Sequence, residues 1–358
     1  MSSVVDSAKS TLGLAQPKGT YTLPGSPIPT GTTGYGLMGL TWRPNPCSQE
    51  QAFSAMQAAL AEGANLWNGG EFYGPPERNS LHLLNEYYTK YPEDAKKTVI
   101  CIKGGGKPGN PIPDGSEQNT QRSIDECLKV LDGKHKLDFF ECARVDPKTP
   151  IEITMGAIKK YIDNGKLGGV CLSECSADSI RRAAAVVKIS GVEIEYSLFE
   201  NEVERNGVLS TCAELDIPVV AYSPLGRGFL TGQVKSRADI PEDSYLNHVP
   251  RFNEENFPKN IKLVHQLEDF AERKKVTPGQ VAVAWVKAQS ERNGNPVIIP
   301  IPGATTAERV KENCVDVELS DMDLKEIESI IASIDITGER YPPGISELCF
   351  GNSPPLKD

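Results

Sequence analysis

Residues 63–80, GANLWNGGEFYGPPERNS, are followed by LHLLNEYYTKY (81–91) and TVICIKGGG (98–106), and together they read as strand, loop, helix, strand. The first apolar run stops at Asn68, glycines and prolines mark the loop, and the second apolar run ends on Lys103. Asn68 to Gly74 therefore lies just past the C-terminal end of one strand, and Lys103 at the C-terminal end of the next. In parallel α/β sheets this edge carries the chemistry. A phenol, Tyr73, and an amine, Lys103, delivered to one rim form a proton-donating pair. The ammonium favours the phenolate and is expected to lower the phenol from its usual ~10, giving an acid near neutral pH.

The same unit recurs on both sides of this stretch. YGLMGL precedes an amphipathic run, SQEQAFSAMQAALAEG, and further apolar runs (KLDFFECA, LGGVCLS, GVEIEY, IPVVAYS, PVIIP) alternate with helical patterns. Eight short β/α units in one chain predict an α/β fold, a (β/α)8 TIM barrel forming a single domain over residues 31–340. Residues 1–30, rich in Ser, Thr, Pro and Gly, are expected to be a mobile extension with one hairpin around TYTL (20–23). A long irregular insert at 224–258 has the length of a rim loop with a function. A final helix, LSDMDLKEIESIIASI, and a Pro-rich tail at 341–358 remain to close over the mouth.

The chain has 358 residues and a net charge of -10 without a basic run, which argues against nucleic acid or an anionic membrane as partner. It holds no apolar segment near the ~20 residues of a membrane span and no signal-peptide pattern, so a cytoplasmic location is expected. Nine scattered cysteines read as reduced, buried hydrophobes, and the four histidines have no ligand spacing, so no metal is expected. Composition leaves the oligomeric state open.

NLWNGGEFYG, IKGG, ARVDP, VCLSECS, EYSLFE, AYSPLGRGFLTG and IPIPGATTAERVKENC stand in order between Gly34 and Ile334. Together they resemble the aldo-keto reductases, most of all the fungal pyridoxal reductases. The resemblance implies NADPH as cofactor and a small-molecule carbonyl as substrate, pyridoxal first. It makes Tyr73 the proton donor and Lys103 the residue that lowers its pKa. The family's aspartate is Asn68 here and its carbonyl-orienting histidine is Ala143; Arg144, Trp42 or a substrate group is left to supply the missing donor. Trp42, Trp67, Ala143 and Arg144 are the implied substrate contacts.

By the same resemblance Ser173, Glu174 and Glu193 face the nicotinamide carboxamide, and Tyr222 stacks on the ring. Ser223, Leu225 and Gly228 border the pyrophosphate. Thr305, Thr306 and Arg309 take the 2′-phosphate and Glu312 and Asn313 the adenine; a bidentate Arg309 favours NADP over NAD. Plainer readings stand beside these: both tryptophans as wall packing, Arg144 as a surface partner of Asp146, and Glu193 as structural. Other functions left open are reduction of a different aromatic aldehyde or ketone in fungal secondary metabolism, a slow-turnover NADPH-sensing subunit, and a Schiff-base aldolase using Lys103.

Overall fold

In a computed structural model that describes residues 19–107 and 110–356, the eight apolar runs pair in chain order as one parallel sheet. The strands are β1 (Tyr35–Gly36), β2 (Leu66–Gly70), β3 (Val99–Gly104), β4 (Phe139–Cys142), β5 (Gly169–Ser173), β6 (Ile189–Glu195), β7 (Val219–Tyr222) and β8 (Ile298–Pro300). Gly34 N donates to Pro300 O at 2.9 Å and Gly36 bridges to Gly303, so the first strand meets the last and the barrel closes. Gly34 is required at this seam, because a Cβ there would lie 2.7 Å from Leu66 O.

Helices α1 (Gln49–Ala61), α2 (Ser80–Lys90), α3 (Glu117–Leu131), α4 (Ile151–Asp163), α5 (Ala177–Val186), α6 (Val208–Glu214), α7 (Phe257–Lys274), α8 (Pro278–Ala288), α9 (Ala307–Cys314) and α10 (Asp321–Ala332) surround it. Their apolar faces and the outward residues of the strands make the larger core, which includes Trp67, Tyr87, Tyr88 and Phe140. The inward residues make a separate core, Leu66, Val99, Cys101, Phe139, Cys171, Val220 and Ile299, with Leu23.

Leu23 enters from below. Thr20–Tyr21 pairs antiparallel with Thr30–Gly31, and this hairpin seats Leu23 in the barrel floor at 1% exposure. The mobile extension expected over residues 1–30 is therefore different in its second part: residues 19–30 are built into the barrel. Residues 1–18 of that expected segment lie outside the described residues.

Segment 224–258 folds as four 3-10 turns, and Arg251 ties it to the barrel by an ion pair to Glu200 at 2.6 Å. The tail after α10 crosses the mouth. Gly351 pairs with Cys175, and Ser353 accepts from Ile151 N at 2.7 Å.

Candidate active site

The strand pleat decides which side chains share the barrel interior above the apolar floor. Leu66 and Val99 point inward, so Asn68 and Gly70 on β2, and Cys101 and Lys103 on β3, do too. Phe139 points inward on β4, and so does Glu141, which pairs in register with Lys103. Cys171 and Ser173 follow on β5, with Glu193 opposite Ser173 on β6.

One layer therefore holds Asn68, Lys103, Glu141 and Glu193, each at most 4% exposed. Lys103 Nζ donates to Glu141 Oε1 at 2.8 Å and to Asn68 Oδ1 at 3.3 Å, and it forms an ion pair with Glu193 Oε1. Asn68 Nδ2 donates to Glu193 Oε2 at 2.5 Å and to Glu141 Oε1 at 3.2 Å. Burial disfavours the ammonium, but Glu141 and then Glu193 outweigh it and hold Lys103 well above its ordinary value. Lys103 rests as the ammonium, which is no nucleophile, so the aldolase alternative finds no support in this geometry.

Tyr73 sits on this layer. Its ring packs where a side chain on Gly70 would be, 3.0 Å from an ideal Cβ there, and Gly70 is the residue opposite Lys103. Gly74 (φ +123°) makes the turn that follows, with Arg78 O 2.7 Å from any added Cβ. Asn79 caps α2 through Leu81 N at 3.0 Å and also donates to Glu71 O at 2.7 Å, so one side chain fixes both helix and loop. Removing it in Asn79→Ala is expected to cost about 1 kcal/mol in a denaturant titration, with a fall in kcat as the loop carrying Tyr73 loosens.

The expected acidification of Tyr73 is not what the structure gives. Burial raises the phenol above its ordinary value, and Lys103 pulls it down. Glu193 and Glu141 push it up again and Arg144 opposes them, the net shift being upward. Nor does Asn68 leave the ammonium uncompensated, because two carboxylates on neighbouring strands compensate it. Tyr73 is thus held as the neutral phenol.

Glu193 is correspondingly not free for a carboxamide, since Lys103 and Asn68 engage both its oxygens. Glu174, at φ +52°, is also taken. Arg340 donates to it at 2.7 and 3.0 Å and Tyr222 Oη at 2.8 Å, and Phe350 N and Glu195 N complete the shell. Burial alone would raise this carboxyl, but Arg340 and Arg144 overcome burial and hold it at about 2. The drop from 4.5 to about 2 corresponds to about 3 kcal/mol. Being a depressed carboxyl, it stabilises fully above its unfolded value and the contribution disappears as pH falls toward 2. A Glu174→Gln variant should therefore show a shallower loss of stability than the parent between about pH 5 and pH 2 in thermal melts.

Around this pair the mouth is lined with arginine and tyrosine. Tyr341 Oη meets Tyr222 Oη at 2.9 Å, and Arg227 Cζ lies 4.2 Å from the Tyr341 ring centre. Arg227 reaches Glu195 at 3.3 Å. Arg144 points into the same space with its Cζ 5.4 Å from the Tyr341 ring centre, rather than pairing with Asp146 at the surface. Three buried atoms here have no hydrogen-bond partner among the described residues: Ser173 Oγ, Arg144 Nε and Arg227 Nη1.

The other expected positions divide. Trp42 is 49% exposed and stacks on Tyr73, ring centres 5.5 Å apart, at the mouth. Trp67 is corrected to wall packing: its pleat parity turns it outward, where it stacks on Tyr88 and donates to Ala64 O. Ala143 N bonds Gly104 O at the end of β4, beside Arg144. Ser223, Leu225 and Gly228 shape a tight loop, with Gly226 N bonded to Ser223 O and Gly228 N to Leu225 O. Thr306 caps α9 through Arg309 N, Thr305 precedes it, and Arg309 pairs with Glu312 at 2.6 Å. Asn313 is buried on the same helix.

Ser173 Oγ and Arg227 Nη1 are buried polar groups still lacking a partner among the described residues, which fits a bound nicotinamide cofactor. The aldo/keto reductase family model matches residues 32–332. The chain is an aldo-keto reductase. This aldo-keto reductase is 43% identical over 319 residues to the probable pyridoxal reductase 2 of Schizosaccharomyces pombe, covering 87% of this chain and 94% of that protein. It is 37% identical to the NADP(+) aldo-keto reductase yakc of the same yeast, over 90% and 95% of the two chains. A glycerol dehydrogenase from Gluconobacter oxydans has the same fold, with a TM-score of 0.77 at 22% identity over 89% of this chain and 96% of that one. The reductase is a nicotinamide-dependent oxidoreductase. No described helix is long and apolar enough to cross a membrane.

Glu141, Glu195, Arg340 and Tyr341 escaped the sequence reading. Glu141 had a signal: it shares parity with apolar Phe139 on a buried strand and follows Lys103 by one strand. Arg340 and Tyr341 had none, because RYPP in an irregular tail has no period.

Proposed function

We propose that the enzyme reduces an aldehyde or ketone to the alcohol with NADPH, pyridoxal to pyridoxine being the leading reaction. The observation that carries this is Tyr73, a neutral buried phenol seated on Gly70 beside the Lys103 ammonium at the barrel mouth. NADPH supplies the hydride. Ser173, Tyr222 and the 223–228 loop are assigned to its nicotinamide half, and Thr305, Thr306 and Arg309 to the adenosine 2′-phosphate, with Glu312 and Asn313 beside the adenine.

Tyr73 then gives its proton to the substrate oxygen, and Lys103 steadies the phenolate left behind. Arg144, with a buried Nε that has no partner among the described residues, stands where Ala143 leaves the oxyanion without a histidine donor. Trp42 offers an exposed face at the entrance to a flat aromatic substrate. The similarity to a protein named a probable pyridoxal reductase supports the choice of substrate.

Steady-state assays with NADPH and a panel of aromatic and aliphatic carbonyls test it. The highest kcat/KM is expected with pyridoxal, and absence of NADPH oxidation with pyridoxal overturns that substrate. Arg309→Ala is expected to raise KM for NADPH about 10-fold, the loss of one charge-assisted hydrogen bond, while leaving KM for NADH in place.

One observation favours a second reading, a slow-turnover NADPH sensor: Arg340 and Tyr341 of the tail already bind Glu174 and Tyr222. Turnover above ~1 per second with any carbonyl removes the need for it.

A further inference from the structure

The layer beneath Tyr73 contains one cation and two carboxylates. Lys103 Nζ contacts both Glu141 and Glu193, Asn68 Nδ2 donates to both, and none of the four is more than 4% exposed. Glu141 Oε2 is buried with no hydrogen-bond partner among the described residues. If both carboxyls were ionised, the cluster would hold an uncompensated negative charge above an apolar floor of Leu66, Val99, Phe139 and Val220. Two carboxylates that share a buried site resolve this by keeping one proton.

We propose that Glu141 and Glu193 hold a single proton between them at neutral pH and form, through Lys103, the reservoir that reloads Tyr73 after each reduction. The same pair explains the amide at position 68. An aspartate there would bring a third carboxylate against a single ammonium, whereas Asn68 donates to both acids and accepts from the amine.

The proton count closes. Tyr73 loses its hydroxyl proton to the substrate oxygen, Lys103 gives one to the phenolate, and the shared carboxyl proton passes to the Lys103 amine. The result is an alcohol, a phenol, an ammonium and two ionised carboxylates, and one proton from solvent resets the pair. No electron moves within the cluster. The titratable groups that act on the pair are Lys103 and Tyr73, Cys101 and Cys171 one inward layer down, and, from the outer core, Cys142 and Cys175, whose thiols feel the charge of Glu141. None of these cysteines is a competing source of the proton, since every one of the thiols is held above its ordinary value. Burial and the charge of Glu141 likewise raise Glu193, against the pull of Lys103.

The role in turnover rests on the reductase reading, but the shared proton does not, so the first measurement is made on ligand-free protein. Infrared difference spectra across a pH titration should show a protonated-carboxyl band at neutral pH that disappears at alkaline pH. Glu141→Gln and Glu193→Gln should each abolish it, because a single carboxylate beside Lys103 ionises. No such band at neutral pH, or a band that survives in both variants, overturns the proposal; if a variant does not fold, the parent titration alone decides.

The pH profile of kcat supplies the second measurement. The parent should lose activity on the alkaline side as the band disappears. Each variant should be about 10-fold slower at neutral pH and flat through that range. A merely structural role predicts slower variants whose alkaline limb is unmoved, and that outcome removes the reservoir while leaving the reductase assignment standing. Equally, absence of carbonyl reduction in the parent with the infrared band present would strike the functional reading alone.

Discussion

Replacing Tyr73 by Phe is expected to lower kcat for carbonyl reduction by about 100- to 10,000-fold, the range supplied by a positioned general acid. The hydroxyl is the only part of the side chain removed. The ring remains on Gly70 and under Trp42, where the aromatic centres are 5.5 Å apart, so the loop stays in place. Stability and NADPH affinity should change little, which separates loss of chemistry from loss of fold. Single-turnover kinetics with NADPH bound in advance make the measurement; turnover at the parent rate removes Tyr73 from the mechanism.

Arg340→Ala has the largest expected effect on stability. It leaves Glu174, 0% exposed, without its bidentate partner and Glu195, 2% exposed, with Arg227 at 3.3 Å as its remaining ion-pair partner among the described residues. Stripping one member from a buried ion pair costs about 3–5 kcal/mol, and a drop in Tm of several degrees follows. Glu174 should then climb from about 2 toward the ordinary carboxyl range, moving the acid limb of stability to higher pH. The double variant Arg340→Ala, Glu174→Gln should recover part of the loss, because no orphaned charge remains. Strict additivity of the two changes would show that the pair is not coupled.

The fold was readable because its signal repeats. Eight apolar runs separated by amphipathic segments constrain a barrel far more tightly than any one of them, and chain-order pairing needs no long-range guess. The positions of Tyr73 and Lys103 in the fold were readable for the same reason, one in the loop just past a strand and the other near the end of the next strand. Pleat parity settles the next level. It turns Trp67 outward, against the expectation of a substrate contact, and turns Glu141 inward beside Lys103.

What stayed hidden depends on contacts between segments distant in the chain. The electrostatics of Tyr73 are set by burial and by carboxylates on β4 and β6, so reasoning from the neighbouring Lys103 alone predicted the wrong sign. The engagement of Glu174 by Arg340 spans 166 positions of sequence and has no local signature.

The Leu23 plug makes the interior a cul-de-sac. In the proposed reaction, substrate and product would use the open end at the mouth, and the strap of residues 340–351 runs across it. On the proposed scheme, the alcohol would depart past this strap before solvent recharges the carboxyl pair behind it. Departure and recharging should then slow together when the medium is made more viscous, which a solvent-viscosity dependence of kcat would read.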